Sequence, residues 1–262
     1  MFVINPEDVE REALAQGISR TELEVPSLVF LTFNQCILEE FSRVCKLKDW
    51  EWLGGRFSPA YSHFYKSWRG TIDQNDIGVF FPPMGASTLV SFCEELIFYG
   101  ARVIFLLCAS WGLGKKYLQE GQIHLPSFTV GMDGTSPHYG NRDWKTVAEP
   151  RAFKALASAL NMIGADWKEG GVGSCEAFYR ITPELADGFR QQGCLSMENG
   201  ETAALYCLSE ERDIPIGVLL QPYIDLEQGW KISFMSKKYE EAGRLQVHAA
   251  IEASRILLRK KD

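Results

Sequence analysis

The sequence has no excess of positive charge. Its 262 residues include 34 acidic and 27 basic side chains, which give a formal net charge of −7 at pH 7. An acidic surface repels nucleic acids and anionic membranes, so we expect neither as a partner. Hydrophobic residues make up 46% and charged residues 23% of the chain. These ordinary proportions exclude a disordered, collagen-like or coiled-coil chain.

The sequence also lacks a long apolar run. The longest, Val103 to Ala109, has seven residues, whereas a transmembrane helix needs roughly 18 to 20. The first residues, Met1 to Asp8, are acidic and do not contain the basic segment and apolar core of a signal peptide. We therefore predict a cytoplasmic protein without a membrane partner.

Closely spaced metal ligands are missing. None of the seven cysteines forms a C-x-x-C pair, and none of the four histidines forms an H-x-x-x-H pair. The cysteines are scattered and mostly lie in apolar stretches, so we interpret them as reduced core residues. We expect no metal and no other cofactor. The G-x-G-x-x-G, G-x-x-x-x-G-K-[ST] and G-x-S-x-G motifs are absent too, which disfavours three large enzyme classes.

Strand-like and helix-like patterns alternate along the chain. Strands are predicted over Leu28 to Leu31, Phe64 to Thr71, Ile77 to Phe81, Val103 to Ala109, Ile123 to Phe128, Gly171 to Ser174 and Ile214 to Leu220. Helices are predicted over Cys36 to Val44, Ser87 to Gly100, Arg151 to Gly164, Glu201 to Arg212 and Tyr239 to Arg259. This order predicts an α/β fold with a mixed sheet flanked by helices. We expect an N-terminal arm over 1–27 and one domain over 28–262.

Four short segments carry motifs. They are Met84 to Ser87 with Glu94 to Ala101, then Met132 to Tyr139, then Gly173 to Tyr179, and finally Asn199 to Leu205. They resemble, in order, a glycine-serine turn with an E-E-L helix, a D-G-x-S-x-H-[FY] loop, an S-x-D-x-F-Y segment and an E-M-E-[ST]-A-A-L signature. These belong to the nucleoside phosphorylase superfamily, in particular its uridine phosphorylase branch, and the resemblance runs from about Leu28 to Leu258.

The resemblance implies a twisted mixed sheet forming a distorted barrel. It also implies a homodimer or a dimer-based higher oligomer with active sites near the interface. The ligand would be a small nucleoside-like molecule, and the chemistry would occur at the bond between ribose and base. Breaking that bond builds positive charge on the sugar, which a nearby carboxylate stabilises.

The resemblance assigns that carboxylate to Glu201, which would hold the ribose hydroxyls and is our candidate catalytic residue. The two preceding motif positions differ, since Asn199 and Gly200 replace a Glu and a Met. An alternative register uses Met197 and Glu198 as the M-E pair, but the following T-A-A-L residues then no longer align.

The same resemblance suggests further substrate-binding residues. Phe178 would stack on the base, with Tyr179 beside it. His138 lies in the D-G-x-S-x-H loop, and Met84 and Gly85 would shape the pocket. An aromatic residue after a strand is also common in an ordinary core, so Phe178 has a purely structural alternative.

The phosphate-binding residues of the family are not retained. The segment Thr32 to Ile37 has no arginine, Phe105 and Cys108 stand where an arginine and a threonine are expected, and the cross-dimer arginine position falls near His63. A phosphate dianion needs such cationic groups, and an apolar replacement would cost several kcal/mol, of the order of an unpaired buried charge. We predict that phosphate is not the nucleophile.

Base recognition departs from the family as well. The glutamine and arginine that read uracil are replaced by Thr182 and Glu184. A carboxylate accepts hydrogen bonds but does not donate them, so Glu184 suits an amino-bearing base better than uracil. The purine-type branch has a base-protonating Asp where this chain has Gln221, which hydrogen-bonds but does not protonate. Asp225 or Glu227 is an alternative if the loop folds back.

Three functions remain open on the sequence. The first is a nucleosidase or pentosyltransferase that cleaves an N-glycosidic bond without phosphate. Glu39 and Glu40 follow the first strand, where the hydrolase branch places a water-activating Glu, although their offset is several residues too long. The second is a catalytically inactive nucleoside-binding or scaffold homologue. The third is a phosphorylase with an unorthodox phosphate site.

Overall fold

The computed structural model describes residues 4–57, 66–140, 143–229, 233–234 and 236–259. Its strands are β1 (Leu28–Thr32), β2 (Lys48–Asp49), β3 (Lys66–Ile72), β4 (Asn75–Phe81), β5 (Val103–Leu107), β6 (Ser110–Gly112), β7 (Ile123–Met132), β8 (Lys145–Val147), β9 (Trp167–Cys175), β10 (Cys194–Glu198), β11 (Ile216–Leu219) and β12 (Pro222–Asp225). Its α-helices are α1 (Pro6–Ala15), α2 (Arg20–Leu23), α3 (Gln35–Cys45), α4 (Ala86–Phe98), α5 (Pro150–Met162), α6 (Pro183–Gln191), α7 (Glu201–Arg212) and α8 (Lys237–Leu258).

The first sheet has the strand order β11-β5-β1-β4-β3-β2. Strands β11, β5, β1 and β4 are parallel, and β3 and β2 continue the sheet antiparallel. Every residue of β1 is buried, because helices cover both faces of the sheet. Such double coverage explains why β1 and β5 are continuous apolar runs rather than alternating ones.

Two hydrophobic cores lie on opposite faces of this sheet. Alternate residues of β1 point to each, with Val29 and Leu31 in one core and Leu28 and Phe30 in the other. Helices α4 and α7 cover the first core, and α3, α5 and α8 cover the second. The N-terminal helices α1 and α2 contribute buried residues to the first core, so the predicted arm packs against the sheet.

The second sheet has the order β12-β6-β10-β9-β7-β8. It meets the first sheet at an isolated antiparallel bridge between His124 and Leu220, whose backbone hydrogen bonds measure 2.8 and 2.9 Å. The resemblance implied one distorted barrel, and this detail was wrong. The described strands form two sheets that share a single bridge, and they do not close into a barrel. The α/β class with mixed sheets is confirmed.

The predicted elements largely occur, with shifted ends. Helix α7 has the predicted bounds, whereas α4 begins at Ala86 with Gly85 as its N-cap instead of Ser87. Local sequence patterns did not predict β6, the strands β2, β8, β10 and β12, or helix α6. The first of these has only three residues, too few for a periodic pattern. Within the described ranges, no helix is both long enough and apolar enough to cross a bilayer.

Candidate active site

A cavity of about 460 Å³ opens at the carboxyl ends of the parallel strands, the usual place for ligands in α/β folds. We call it the Glu201 cavity. Its described lining comprises Phe33, Asn34, Gln35, Cys36, Glu39, Met84, Leu106, Cys108, Ala109, Trp111, Glu198, Asn199, Glu201, Leu220, Tyr223, Phe234, Tyr239 and Glu240.

A tight turn places two carboxyl groups in this cavity. Strand β10 ends at Glu198, the turn passes through Asn199 and Gly200, and α7 begins at Glu201. Gly200 has φ +93°, and a Cβ at this position would lie 2.7 Å from the Cβ of Asp133. Both the backbone conformation and the close approach therefore require glycine.

The two carboxyl groups interact with each other. Glu198 and Glu201 are 5% and 3% exposed. Burial raises the pKa of Glu198 well above its usual value, and the charge of Glu201 and a hydrogen bond between the two side chains raise it further. Burial and the neighbouring carboxyl group therefore favour the protonated form of Glu198.

Backbone N–H groups fix both side chains. Glu198 accepts hydrogen bonds from the N–H of Gly200 at 2.9 Å and of Thr202 at 3.2 Å. Glu201 accepts one from the N–H of Gly85 at 3.1 Å. Because Gly85 immediately precedes α4, the pair is held between the two helices that cover the first core.

The D-G-x-S-x-H loop supports the Gly200 turn. Asp133 is buried, and its carboxylate accepts from the N–H of Thr135 at 3.0 Å, the N–H of Ser136 at 2.7 Å and the hydroxyl of Ser136 at 2.7 Å. The loop is also tied to α4, because the Tyr139 hydroxyl donates to Glu94 at 3.1 Å. The loop lies directly against the turn, since an added Cβ at Gly200 would be 2.7 Å from the Cβ of Asp133.

The charge of the cavity has one sign. Four glutamates, at positions 39, 198, 201 and 240, line it, and its described lining includes no Arg, Lys or His. With Glu198 in its protonated form, the other three carry the negative charge. Near the glutamates lies Asn34, whose buried Nδ2 has no acceptor within the described residues. Such a donor is costly when unpaired, so a ligand acceptor would stabilise it.

Aromatic side chains form much of the remaining wall. They are Phe33, Trp111, Tyr223, Phe234 and Tyr239. The Trp111 indole N–H donates to the Tyr223 hydroxyl at 2.6 Å, and the ring centroids of Tyr223 and Phe234 are 6.3 Å apart. This arrangement gives a flat ligand several ring faces or edges to contact.

Several predicted site residues meet at the Glu201 cavity. Glu201, Met84 and Cys108 line it, and Gly85 donates to Glu201. Burial raises the pKa of the Cys108 thiol well above its usual value, and Glu201 raises it further, so Cys108 is a neutral thiol and not a thiolate nucleophile. Gln221 is buried beside the cavity and donates to the Tyr239 carbonyl at 3.2 Å.

Other predicted residues lie elsewhere. Phe178 and Tyr179 line a second groove, where Tyr179 is 91% exposed. Phe178 contacts Trp111 at a centroid distance of 4.7 Å, so Trp111 stands between it and the Glu201 cavity. Glu184 is exposed in the first turn of α6, and a backbone hydrogen bond lowers its pKa.

Three further residues named from the sequence are His138, His63 and Phe105. His138 lies in a 3-10 turn of the D-G-x-S-x-H loop and is not among the cavity residues. His63 lies outside the described residues. Phe105 is fully buried and stacks on Phe30 at 5.8 Å, so it fills the second core rather than the cavity.

Several residues of this site, among them Glu198, Trp111, Tyr223, Asn34 and Glu240, were not predicted as site residues from the sequence. Glu198 appeared only in the alternative register, because β10, the strand that ends at Glu198, was not predicted. Trp111 lies on the three-residue strand β6, and Tyr223 on β12. Trp111 and Tyr223 come together because β6 pairs with β12. Local sequence does not reveal this pairing.

Comparison with known proteins defines the family. The family described as the phosphorylase superfamily matches residues 37–257, and the chain belongs to it. Uridine phosphorylase of Klebsiella aerogenes is 28% identical over 115 residues, which span 44% of this chain and 45% of that protein. Uridine phosphorylase of Escherichia coli strain K12 is 27% identical over 115 residues, which also span 44% of this chain and 45% of that protein. The chain thus matches less than half the length of these curated relatives.

A solved structure shows the fold. The crystal structure of purine nucleoside phosphorylase from Toxoplasma gondii in complex with immucillin-H superposes with a TM-score of 0.78 at 20% identity. The alignment covers 91% of this chain and 94% of the other. This structure confirms the fold, and the family match over residues 37–257 confirms the predicted superfamily.

Proposed function

We propose that this protein cleaves the N-glycosidic bond of a nucleoside or nucleoside-like substrate, with water rather than phosphate as the nucleophile. The observation that carries the proposal is the Glu198–Glu201 pair in a cavity whose described lining has no cationic side chain. Named activities of the similar proteins, which act on uridine or purine nucleosides, support the bond that is cleaved.

Glu201 is the catalytic residue in this proposal. As the bond to the base breaks, the sugar acquires positive charge, and an ionised carboxylate beside it stabilises the transition state. The proton on Glu198 lets a second acid lie next to Glu201 without charge repulsion and orients the Glu201 carboxylate toward the ribose hydroxyls, which donate to it.

Phosphate is disfavoured by the same charges. At about 5 Å and an effective dielectric constant of about 20, two like unit charges repel by roughly 3 kcal/mol. A dianion among the cavity glutamates would meet this cost without a compensating Arg or Lys in the described lining. Water carries no such charge. Glu39, an exposed carboxylate of the lining, is our candidate for taking its proton.

The base would lie against the aromatic wall. We assign Trp111, which faces the cavity, as the main platform, and Phe178, which contacts Trp111 at 4.7 Å, as its support. Asp133, which lies against Gly200, positions the Gly200 turn, and His138 stays a candidate for substrate binding. A homodimer or dimer-based oligomer, with the site near the interface, is proposed on the family resemblance.

The test is incubation of the purified protein with ribo- and deoxyribonucleosides, with and without phosphate, following free base by chromatography. Base release that is independent of phosphate and falls at least about 100-fold in Glu201→Gln is expected, the scale of removing one transition-state carboxylate. Glu210→Gln is the matched control, because Glu210 is an exposed residue of the same helix. It should retain full activity.

A second candidate has one observation in its favour. Asn34, Gln35 and Cys36 form the N-terminus of α3 and line the cavity, and no side chain caps this helix. Backbone N–H groups at a helix N-terminus bind anions. Base release only in the presence of phosphate would establish a phosphorylase with this unorthodox site. No release from any nucleoside would favour a binding or scaffold homologue.

A further inference from the structure

We propose that the base of the substrate carries a permanent positive charge, as in an N-ribosylpyridinium or an N-alkylated purine nucleoside. The inference rests on the proposed function and names its substrate class. Its grounds are the sign of the charge in the Glu201 cavity, the aromatic residues of its wall and the lack of a base-protonating acid among its described residues.

The carboxyl groups approach the cavity from both faces of the first sheet. Glu198 and Glu201 belong to the β10–α7 segment, whereas Glu39 and Glu240 belong to α3 and α8. Arg244, whose guanidinium lies 3.8 Å from Glu240, offsets part of one charge. It is half-exposed and is not among the lining residues. Glu198 adds no charge in the protonated form that its raised pKa favours. The remaining carboxylates, Glu201 on one side and Glu39 and Glu240 on the other, attract a cation from both sides and repel an anion.

The aromatic wall favours the same ligand. Ring faces carry negative electrostatic potential and attract cations, most strongly for Trp and Tyr. Trp111 is buried and holds Tyr223 through its indole N–H, while Phe234 continues the wall toward solvent with 45% exposure. A cavity that combines ionised carboxylates with aromatic rings has the composition that recognises organic cations.

The chemistry of the leaving group gives the third argument. A neutral base must be protonated as it departs, but the position expected to supply this proton is Gln221, an amide. Asp225 accepts hydrogen bonds from Glu227 and Gln228, and Glu227 lines the second groove. The proton of Glu198 is engaged with Glu201.

A cationic base needs no acid. The C1′–N bond breaks and its electron pair returns to the ring nitrogen, which becomes neutral. The oxygen of water forms the new bond to C1′, and one water proton passes to a cavity carboxylate and then to solvent. Ribose, a neutral base and one proton are the products, so charge and atoms balance without a co-reactant.

The experiment compares two ligands of the same shape. One is 1-(β-D-ribofuranosyl)pyridinium, and the other is phenyl C-riboside, in which a neutral benzene ring replaces the pyridinium. We expect the cation to bind at least about tenfold more tightly by calorimetry, with a preference that shrinks as salt is raised. Release of pyridine, followed by chromatography, should exceed base release from uridine and adenosine at least about 100-fold.

A matched pair of variants tests the origin of the preference. Glu240→Gln removes a lining carboxylate and should reduce the cation-to-neutral affinity ratio about threefold or more. Glu210→Gln makes the same change at an exposed glutamate of α7 that is not in the lining. It should leave the ratio unchanged, and its affinity for phenyl C-riboside should match that of Glu240→Gln.

The outcomes separate this inference from the proposed function. Equal binding of the two ribosides, with efficient cleavage of neutral nucleosides, would overturn the cationic substrate and leave the proposed hydrolysis standing. Preferential binding of the pyridinium without release of pyridine would support the ligand class and overturn the hydrolysis.

Discussion

Glu198 and Glu201 are hydrogen-bonded to each other across the turn that joins β10 to α7. Two ionised carboxylates in one buried site would repel each other, and the raised pKa of Glu198 favours the protonated form, which removes this repulsion. The turn that creates this arrangement depends on Gly200. The protonation state of Glu198 and the geometry of Gly200 are therefore separate properties of the site that mutations can test.

Replacing Glu198 by Gln should flatten the dependence of stability on pH. The pKa of Glu198 is raised in the folded protein, so its stabilising effect is complete below the unfolded pKa and is lost as pH rises through the folded pKa. Gln does not titrate. Thermal unfolding from pH 5 to pH 9 should therefore show a smaller loss of Tm toward alkaline pH in Glu198→Gln than in the wild type.

The Tm of Glu198→Gln at any one pH also reflects the hydrogen bonds that the substitution changes. Gln keeps one carbonyl oxygen for the N–H of Gly200 or Thr202 but loses the other acceptor, at a cost of about 1 kcal/mol. If the Tm of Glu198→Gln and of the wild type fell by the same amount between pH 5 and pH 9, even from different starting values, the result would contradict a protonated Glu198. Glu210→Gln should give a curve parallel to that of the wild type.

Gly200→Ala should damage both stability and ligand binding. The residue has φ +93°, and its new Cβ would lie 2.7 Å from the Cβ of Asp133 and 3.4 Å from that of Ala86. We expect a loss of roughly 1–3 kcal/mol in the free energy of unfolding, measured by urea denaturation. Because Glu201 follows directly, nucleoside affinity should fall as well.

Gly188→Ala is the control for this substitution. Gly188 lies within α6, and an added Cβ there would meet no atom within 4 Å. Alanine is the better helix former, so stability should stay the same or rise by about 0.5–1 kcal/mol. Equal destabilisation by the two substitutions would show that the close contact at Gly200 is not the cause.

Asn34→Leu should weaken ligand binding without weakening the fold. The Nδ2 donor of Asn34 is buried, has no acceptor within the described residues and belongs to the cavity lining. Removing an unsatisfied polar group at similar volume is close to neutral or stabilising. We expect an unchanged or higher Tm together with reduced nucleoside affinity by calorimetry. A lower Tm with unchanged affinity would assign Asn34 to the fold instead.

The sequence predicted those parts of the site that depend on local pattern. The resemblance to the E-M-E-[ST]-A-A-L signature assigns Glu201, with the T-A-A-L residues fixing the motif register, and the helical run that begins at Glu201 predicts the start of α7. Met84 and Gly85 could be placed in the same way by the turn before α4. The burial of β1 and β5 followed from their continuous apolar runs.

The aromatic wall could not be predicted in this way. Phe178 matches its motif, but Trp111 comes between it and the cavity because β6 pairs with both β10 and β12. That pairing joins residues far apart in the chain, and β6 is too short to show a period. The arrangement of the strands in two sheets has a similar cause. The sheets meet through a long-range contact, the His124–Leu220 bridge, and no local pattern predicts it.

The buried His124 at this bridge gives the last prediction. It is fully buried, its ring lies 3.0 Å from the Ser196 hydroxyl and 3.2 Å from the Gly170 carbonyl, and burial lowers its pKa to about 4. Because the neutral form is favoured in the folded state, its stabilising effect is complete above the unfolded pKa of 6.5 and is lost as pH falls toward 4.

This titration should cost roughly 3 kcal/mol between these two pH values. The measurement is the free energy of unfolding by urea at several pH values for the wild type and His124→Gln. Gln retains a donor for the Gly170 carbonyl but does not titrate, so the variant should lose less stability on acidification even if it is weaker at pH 7. A variant with the same acid-induced loss as the wild type would show that His124 does not couple the junction of the two sheets to pH.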